Sequence, residues 1–162
     1  MNIAILPARG GSKRIPRKNI KTFHGKPIIA YSIEAAIQSG CFDRVIVSTD
    51  DSEIADISRK LGAEVPFLRP DNLSDDFATT LDVMKHAIDW CEKQQLCVKF
   101  VCCLYATAPF ISPQYLQEGF TLIKSEEFDY VFSATSFAFP IQRAIKITTQ
   151  GTIEMFQPEH LN

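Results

Sequence analysis

A loop with two adjacent glycines and several cations holds the residues best suited to chemistry. Residues 6–19 read Leu-Pro-Ala-Arg-Gly-Gly-Ser-Lys-Arg-Ile-Pro-Arg-Lys-Asn and continue from a short apolar segment, 3–6. We call residues 9–19 the basic loop. Glycines at the carboxyl end of a buried first strand allow backbone N–H groups to turn toward a ligand, and the cations add charge. The combination predicts a site for a nucleoside triphosphate.

The charge distribution favours the same kind of partner. Seven of the seventeen Lys and Arg residues lie between Arg9 and Lys26, whereas the first carboxylate is Glu34. The rest of the chain is acidic, and the net charge is −2. This asymmetry predicts a polyanion at the basic loop and argues against nucleic acid, because the acidic body would repel a long phosphate backbone.

A solvated basic loop that binds nothing is the alternative, and paired glycines directly after an apolar segment disfavour it. Two common phosphate signatures are absent from the sequence. The pattern G-x-x-x-x-G-K-[ST] fails at Ile15, and G-x-G-x-x-G does not occur. The chain is therefore predicted to be neither a P-loop NTPase nor a dinucleotide-binding enzyme.

Length and composition are typical of one globular domain. The chain has 162 residues, of which 46% are hydrophobic and 22% charged. No run approaches the roughly 20 apolar residues of a membrane span, and no signal peptide is recognisable, so a cytoplasmic protein without membrane contact is expected. The five cysteines have no C-x-x-C spacing and are interpreted as small core residues.

Strand and helix signals alternate along the chain, which predicts a mainly parallel sheet covered by helices. Apolar runs predict strands at 3–6, 43–49, 63–68, 99–104 and 130–134, and a hairpin at 144–148 and 152–156. Helical periodicity predicts helices at 27–39, from Asp50 as N-cap to about residue 60, at 78–92, and from Pro113 onward.

Several segments together resemble the acylneuraminate cytidylyltransferase family, the CMP-sialic acid synthetases. They are the basic loop, Phe-Asp-Arg-Val-Ile-Val-Ser-Thr-Asp-Asp at 42–51, and Val-Pro-Phe-Leu-Arg-Pro at 65–70. Residues 103–110 and 139–144 are most similar to the pseudaminic acid branch of that family. The resemblance implies one α/β domain over 1–162, with a three-layer α/β/α, nucleotide-diphospho-sugar transferase-like (Rossmann-like) fold and a mostly parallel sheet.

The resemblance also implies a reaction and a nucleotide site. CTP and a nine-carbon 2-keto sugar acid would give the CMP-sugar and pyrophosphate, through attack of the anomeric hydroxyl on the α-phosphorus. Arg9 and Lys18 are implied to act in catalysis. The residues implied to bind the nucleotide are Ala8, Arg9, Gly10, Gly11, Ser12, Lys18, Asn19, Arg69, Thr79 and Thr80.

Contacts to the sugar acid are implied for Tyr105, Thr107, Gln142 and Arg143. Alternatives remain open at several positions. Arg69 would otherwise form a surface ion pair, Thr79 and Thr80 would cap a helix, and Tyr105 would be a buried aromatic. Two alternatives remain open for Lys13, Arg14 and Arg17: each contacts phosphate directly, or each contributes only to the electrostatic field.

The family uses Mg²⁺ and forms homodimers, so both are expectations here. Its members continue beyond the point where this sequence ends, with an arm exchanged between subunits and an Asp-x-Asp pair for magnesium. The resemblance thus implies a chain that lacks the family's C-terminal dimerisation and metal-binding part, binds CTP weakly and turns over poorly. Asp50 and Asp51 favour helix capping over metal binding, so no metal ligand is assigned. A non-catalytic nucleotide-binding remnant and another nucleotide-sugar pyrophosphorylase are the alternative functions.

Overall fold

The computed structural model describes residues 1–136 and 144–160, in which the chain divides into two units, Met1–Asp129 and Tyr130–Asn162. The single domain expected over 1–162 stays a prediction. None of the helices in the described ranges is long and apolar enough to cross a bilayer.

Seven strands and four helices alternate along the described chain. The strands are β1 (Asn2–Pro7), β2 (Thr22–Phe23), β3 (Lys26–Pro27), β4 (Arg44–Ser48), β5 (Phe100–Cys103), β6 (Ile145–Ile147) and β7 (Ile153–Met155). The helices are α1 (Ile28–Ser39), α2 (Ser52–Lys60), α3 (Thr80–Lys93) and α4 (Pro113–Lys124). Short 3-10 turns lie at Lys18–Ile20, Asp71–Leu73 and Pro158–His160.

The first unit is built on a parallel sheet of three strands in the order β4-β1-β5. In the register, Pro7 lies beside Ser48, and Ile5 lies beside Cys103. Because all three strands run in the same direction, their carboxyl ends lie at the same end of the sheet. The loops that follow the strands all leave there. The basic loop is the one that leaves the central strand.

Alternating side chains of β1 serve two separate cores. Ala4 and Leu6 pack with Ile33 of α1, in a cluster that also includes residues of α2 and α4. Ile3 and Ile5 point the other way, into a cluster with residues of α3. Helices therefore cover both faces of the sheet, and the predicted three-layer α/β/α class is confirmed.

Helix ends follow local capping rules, with one correction. The Asp51 side chain, and not that of Asp50, caps α2 by accepting a hydrogen bond from the Ile54 N–H at 2.9 Å. The expected cap at Asp50 is therefore wrong by one residue, because the Asp50 carboxylate bonds to the basic loop instead. Predicted α1 is confirmed and ends at Gly40, whose φ of 66° is favourable for glycine.

Three strand predictions differ from the structure. Residues 63–68 make only two isolated parallel bridges, from Glu64 to Ile46 of β4 and from Leu68 to Thr49 just after it, and Pro66 between them has no N–H for a ladder. The strand predicted at 99–104 is real but lies at an edge of the three-stranded sheet, so Val101 is exposed rather than buried on both faces. Residues 130–134 form no strand in the described part of the chain.

The second unit contains the predicted hairpin, which is confirmed. β6 and β7 pair antiparallel, with Ile147 beside Ile153, and Gly151 takes a φ of 79° in the turn. The Thr148 and Thr152 hydroxyls lie 2.8 Å apart and close the turn.

The cysteines only partly match their interpretation as core residues. Cys41 and Cys91 are buried and Cys102 is half-buried, but Cys97 and Cys103 are exposed. Cys103 is exposed because β5 is an edge strand, and Cys97 is exposed because it lies in the turn before that strand.

Candidate active site

A cavity of about 710 Å³ lies where β1 and β5 end. Three stretches of the first unit line it: the basic loop, a segment between Arg69 and Val83, and the turn after β5. Predicted site residues on its wall are Arg9, Ser12, Lys18, Asn19, Arg69, Thr79, Thr80, Tyr105 and Thr107. Lys13 and Arg14 also line it, so four cations of the basic loop face one concavity.

Two carboxylates share this wall with the cations, and sequence reasoning did not place them there. Asp76 lies 2.9 Å from Arg9 Nη2 and also pairs with Lys13. The Lys13 ammonium, more than Arg9, holds the pKa of Asp76 below its ordinary value. Arg9 Nη1 donates a hydrogen bond to the Asp75 carbonyl at 2.5 Å. Arg9, which is expected to meet phosphate, and Lys13, for which direct contact is an open alternative, are thus both paired with one internal anion.

The basic loop is anchored to the beginning of α2. Arg17 forms ion pairs with Asp51 and Glu53, and it does not line the cavity. Its guanidinium lowers the pKa of Asp51, and hydrogen bonding to Asp51 raises the pKa of Arg17. The open question about Arg17 therefore has a structural answer: this cation fastens the loop and is turned away from the concavity.

Gly10 brings the basic loop into direct contact with the same helix end. Its N–H donates to Asp50 Oδ1 at 2.9 Å, so this donor already has an acceptor within the fold, and its use for a ligand stays a prediction. A Cβ at Gly10 would lie 2.7 Å from Asp51 Oδ2, closer than real contacts allow. Inside the loop, Asn19 Nδ2 donates to the Arg9 carbonyl at 2.8 Å, which fixes the backbone beneath the Arg9 side chain.

Not every residue of the predicted nucleotide site reaches the cavity. Ala8 is fully buried, and its N–H donates to the Ser48 carbonyl at 2.9 Å. Gly10 and Gly11 are also absent from the cavity wall as the described residues form it. For Ala8 and Gly10 the backbone N–H groups support the fold, because each already has an acceptor within it.

Arg69 is a buried cation at the cavity wall and not the surface ion pair considered as its alternative. It is 4% exposed, its Nη2 lies 3.7 Å from Asp50 Oδ1, and its Nε donates to Ser74 Oγ at 3.2 Å. Burial lowers the pKa of Arg69, and Asp50 opposes that shift. The sequence identified this position only through the family resemblance.

The two threonines of the predicted base site differ in their local bonding. The hydroxyl of Thr79 accepts from the Asp82 N–H, and Asp82 Oδ2 accepts from the Thr79 N–H at 2.9 Å, which forms a capping box for α3; the hydroxyl also donates to Asp82 Oδ2 at 2.6 Å. The capping alternative is therefore real for Thr79. Thr80 lies on the first turn of the helix, exposed and on the cavity wall. A base contact stays a prediction for both.

Tyr105 and Thr107 line the same cavity from the turn after β5. Tyr105 is 59% exposed, so the alternative of a buried aromatic is wrong. Its carbonyl accepts a hydrogen bond from Ser32 Oγ of α1 at 2.9 Å, which ties the turn after β5 to a core helix. Gln142 and Arg143, also expected at the sugar, lie outside the described residues.

The described residues contain no preformed cluster of metal-ligating side chains. Within 1–136 and 144–160, no three His, Cys, Asp or Glu side chains gather closely enough to hold a metal. Asp50 and Asp51 are adjacent in sequence but have different partners. Asp50 contacts Gly10 and Arg69. Asp51 contacts Arg17 and Ile54. We derive no step through a metal.

Comparison with known proteins gives a consistent result. The profile of a family described as cytidylyltransferase matches residues 3–160. The pseudaminic acid cytidylyltransferase of Campylobacter jejuni subsp. jejuni serotype O:2 is 46% identical over 159 residues, which cover 98% of this chain and 68% of that protein. CMP-N,N'-diacetyllegionaminic acid synthase of Legionella pneumophila subsp. pneumophila is 43% identical over 125 residues, 75% of this chain and 53% of that protein.

Among solved structures, CMP:2-keto-3-deoxy-manno-octonic acid synthetase complexed with CTP is similar, with a TM-score of 0.64. The match covers 77% of this chain and 48% of that one, at 22% identity. At that identity the likeness concerns the fold, and it agrees with the three-layer arrangement described above.

Proposed function

Because the chain belongs to the cytidylyltransferase family, we propose that it activates a nine-carbon 2-keto sugar acid of the pseudaminic or sialic type with CTP, giving the CMP-sugar and pyrophosphate. The observation that carries the proposal is the cavity at the end of β1, where four cations of the basic loop face a buried arginine and an exposed tyrosine. Its volume of about 710 Å³ suits a ligand of nucleotide size.

The reaction is a substitution at phosphorus. A bond forms from the anomeric oxygen to the α-phosphorus, the bond to the β-phosphate oxygen breaks, and the hydroxyl proton is released. Negative charge grows on the leaving pyrophosphate, so positioned cations lower the barrier. In the proposal Arg9 binds phosphate oxygens in bidentate fashion, and Lys18 acts as a point charge beside them.

Different parts of the cavity wall are proposed to bind different parts of the substrate. Arg69, Thr79 and Thr80 are proposed to meet the cytosine, with Ser12 and Asn19 close to the phosphates. Tyr105 and Thr107 are proposed to contact the sugar acid, and the proposal also places Gln142 and Arg143 there, for its carboxylate. Support comes from the shared concavity, since residues as far apart in sequence as Arg9 and Thr107 line the same cavity.

Mg²⁺, a homodimer and a cytoplasmic location also belong to this proposal, because the family is expected to have them. Binding and turnover should therefore be measured both with and without Mg²⁺. The same measurements test the expectation of weak CTP binding and poor turnover.

The decisive experiment combines product detection with binding. CTP and pseudaminic acid or N-acetylneuraminic acid are incubated with the chain, and the CMP-sugar is sought by mass spectrometry. Calorimetry then compares CTP binding by the wild type, Arg9→Ala and Arg59→Ala. Loss of charge-assisted hydrogen bonds predicts about ten- to a hundredfold weaker binding for Arg9→Ala.

Arg59→Ala is the matched control, because Arg59 pairs with Asp56 on α2 at 3.0 Å, away from the cavity. It should bind CTP like the wild type. CTP binding without CMP-sugar would favour the non-catalytic remnant, and equal displacement by UTP or GTP would favour another nucleotide-sugar pyrophosphorylase. Unchanged CTP affinity in Arg9→Ala would refute the placement of the phosphates.

A further inference from the structure

Asp50 joins two loops that meet at the cavity. It follows β4 by two residues, and its Oδ1 accepts the Gly10 N–H at 2.9 Å. The same oxygen lies 3.7 Å from Arg69 Nη2. A single carboxylate oxygen thus faces the basic loop on one side and the proposed base-contacting arginine on the other.

Arg69 requires such a partner, because its guanidinium has lost most of its water. It is 4% exposed, and Arg9 is close enough to add to the positive field around it. A buried charge without a counter-charge is strongly unfavourable. Among the described residues, Asp50 is the carboxylate within salt-bridge distance of this guanidinium.

The orientation of Arg69 is fixed at three points. Its backbone N–H donates to the Thr49 carbonyl at 2.7 Å, its Nε donates to Ser74 Oγ, and its Nη2 faces Asp50. A donor held this rigidly can separate cytosine from uracil, because cytosine presents a lone pair at ring nitrogen N3 where uracil presents an N–H. A guanidinium free to rotate would lose that discrimination.

We propose that Asp50 is a positioning residue for nucleotide specificity: it holds Arg69 in the geometry that selects cytosine and ties that arginine to the turn at Gly10 in the basic loop. The inference rests on the proposed function, since it takes Arg69 as the contact to the base. Asp50 itself acts through Arg69 and Gly10, and it is 24% exposed in its side chain.

The test compares Asp50→Asn with Asp56→Asn, a control that removes one carboxylate of α2 outside the cavity. Asparagine keeps an oxygen for the Gly10 N–H but loses the charge facing Arg69. Dissociation constants are measured by calorimetry for CTP, UTP and inorganic triphosphate, on the full chain. We expect Asp50→Asn to weaken CTP about tenfold and to bring the CTP:UTP affinity ratio close to one, with triphosphate affinity within about twofold of wild type.

A wild-type ratio in Asp50→Asn overturns the inference, and so does an equal loss of all three ligands, which would mean that Asp50 only supports the loop. If the wild type shows no preference for CTP, the proposed function fails together with the inference. A preference that survives in Asp50→Asn overturns the inference alone.

A double variant guards against misfolding of Asp50→Asn. Arg69→Gln combined with Asp50→Asn buries no unpaired charge, so we expect it to fold. Because Asp50 acts through Arg69, the CTP:UTP ratio should be the same in Arg69→Gln and in the double variant. A further drop in the double variant would show that Asp50 influences the base by another route, and would overturn the inference.

Discussion

Two of the cations that line the cavity already have a carboxylate partner on the same wall. Asp76 takes Arg9 and Lys13 as partners, although both are placed to bind phosphate. A triphosphate that enters must therefore replace a carboxylate before it can use these cations. The internal ion pair is exposed, so the energy to break it is small but not zero.

Replacement of Asp76 by Asn should consequently tighten CTP binding, by about two- to fivefold at low salt, because the competing anion is gone. Calorimetry at 20 and 300 mM NaCl would measure it, and the gain should shrink at the higher salt as screening weakens the pair. Asp56→Asn removes the same charge from an ion pair outside the cavity and should leave the affinity unchanged. Weaker binding in Asp76→Asn would mean that this carboxylate helps the ligand instead of competing with it.

Residue types and the family resemblance together predicted a large part of this wall, but not its internal partners. A triphosphate site at the basic loop follows from its glycines and cations, whereas Arg9, Lys18, Arg69 and Tyr105 are singled out by the family resemblance; all four line the cavity. Asp76 could not be foreseen, since it lies 63 positions from Lys13 in a polar loop without a periodic pattern. Partners so distant in sequence are brought together only by the fold, and no local sequence pattern indicates them.

Contacts with the beginning of α2 hold the basic loop in one conformation. Arg17 pairs with Asp51 and Glu53, and the Gly10 backbone lies against Asp51. Arg17 has a φ of 55°, unusual for a residue with a side chain, and the two carboxylates around its guanidinium stabilise that conformation. The loop is thereby shaped before any ligand arrives.

Gly10→Ala tests this anchoring against Gly11→Ala as its matched control. A Cβ at Gly10 would lie 2.7 Å from Asp51 Oδ2 and 2.9 Å from Asp51 Cβ, whereas one at Gly11 would meet nothing within 4 Å. Overpacking of this kind costs about 1–3 kcal/mol. We expect the Tm of Gly10→Ala to fall by several degrees, with weaker CTP binding.

Gly11→Ala should keep both the Tm and the affinity of the wild type, and thermal melting with calorimetry covers the two readouts. Equal behaviour of the two alanine variants would contradict the close packing of the loop on α2.

Elements with strong local signals were predicted correctly, and those that depend on neighbours were not. The helix ending at Gly40 and the hairpin around Gly151 follow from periodicity and turn residues. Residues 63–68 read as a strand, yet Pro66 limits them to two bridges, and 130–134 have β-forming residues without a ladder in the described chain. A strand needs a partner, and sequence pattern does not name one.

At the scale of the whole molecule, the five cysteines differ in solvent exposure and therefore in expected reactivity. Burial raises the pKa of the Cys102 thiol to about 11, and burial also raises the pKa of Cys103 even though part of that residue is exposed. At pH 8 about one Cys102 thiol in a thousand is then a thiolate, the reactive form. Cys97 is exposed in the turn before β5.

Iodoacetamide labelling of the native chain at pH 8 should therefore modify Cys97 first and Cys103 more slowly, with Cys41, Cys91 and Cys102 protected until the chain unfolds. Peptide mass spectrometry over time would give the order. Cys97→Ser should remove the fast phase and nothing else. Early modification of Cys102 would contradict the packing of β5 against the sheet.

The ion pairs of the N-terminal segment weaken the long-range attraction between this protein and a polyanion in solution. Four cations of this segment each lie beside a carboxylate: Arg9, Lys13, Arg17 and Lys26. The electrostatic field that these cations produce in the solvent is therefore far weaker than a count of lysines and arginines suggests. Diffusional encounter then gains less from long-range attraction than seven cations without carboxylate partners would give. In the proposed function, selectivity for a polyanion would then arise after the collision, when phosphate oxygens replace Asp76 beside Arg9 and Lys13.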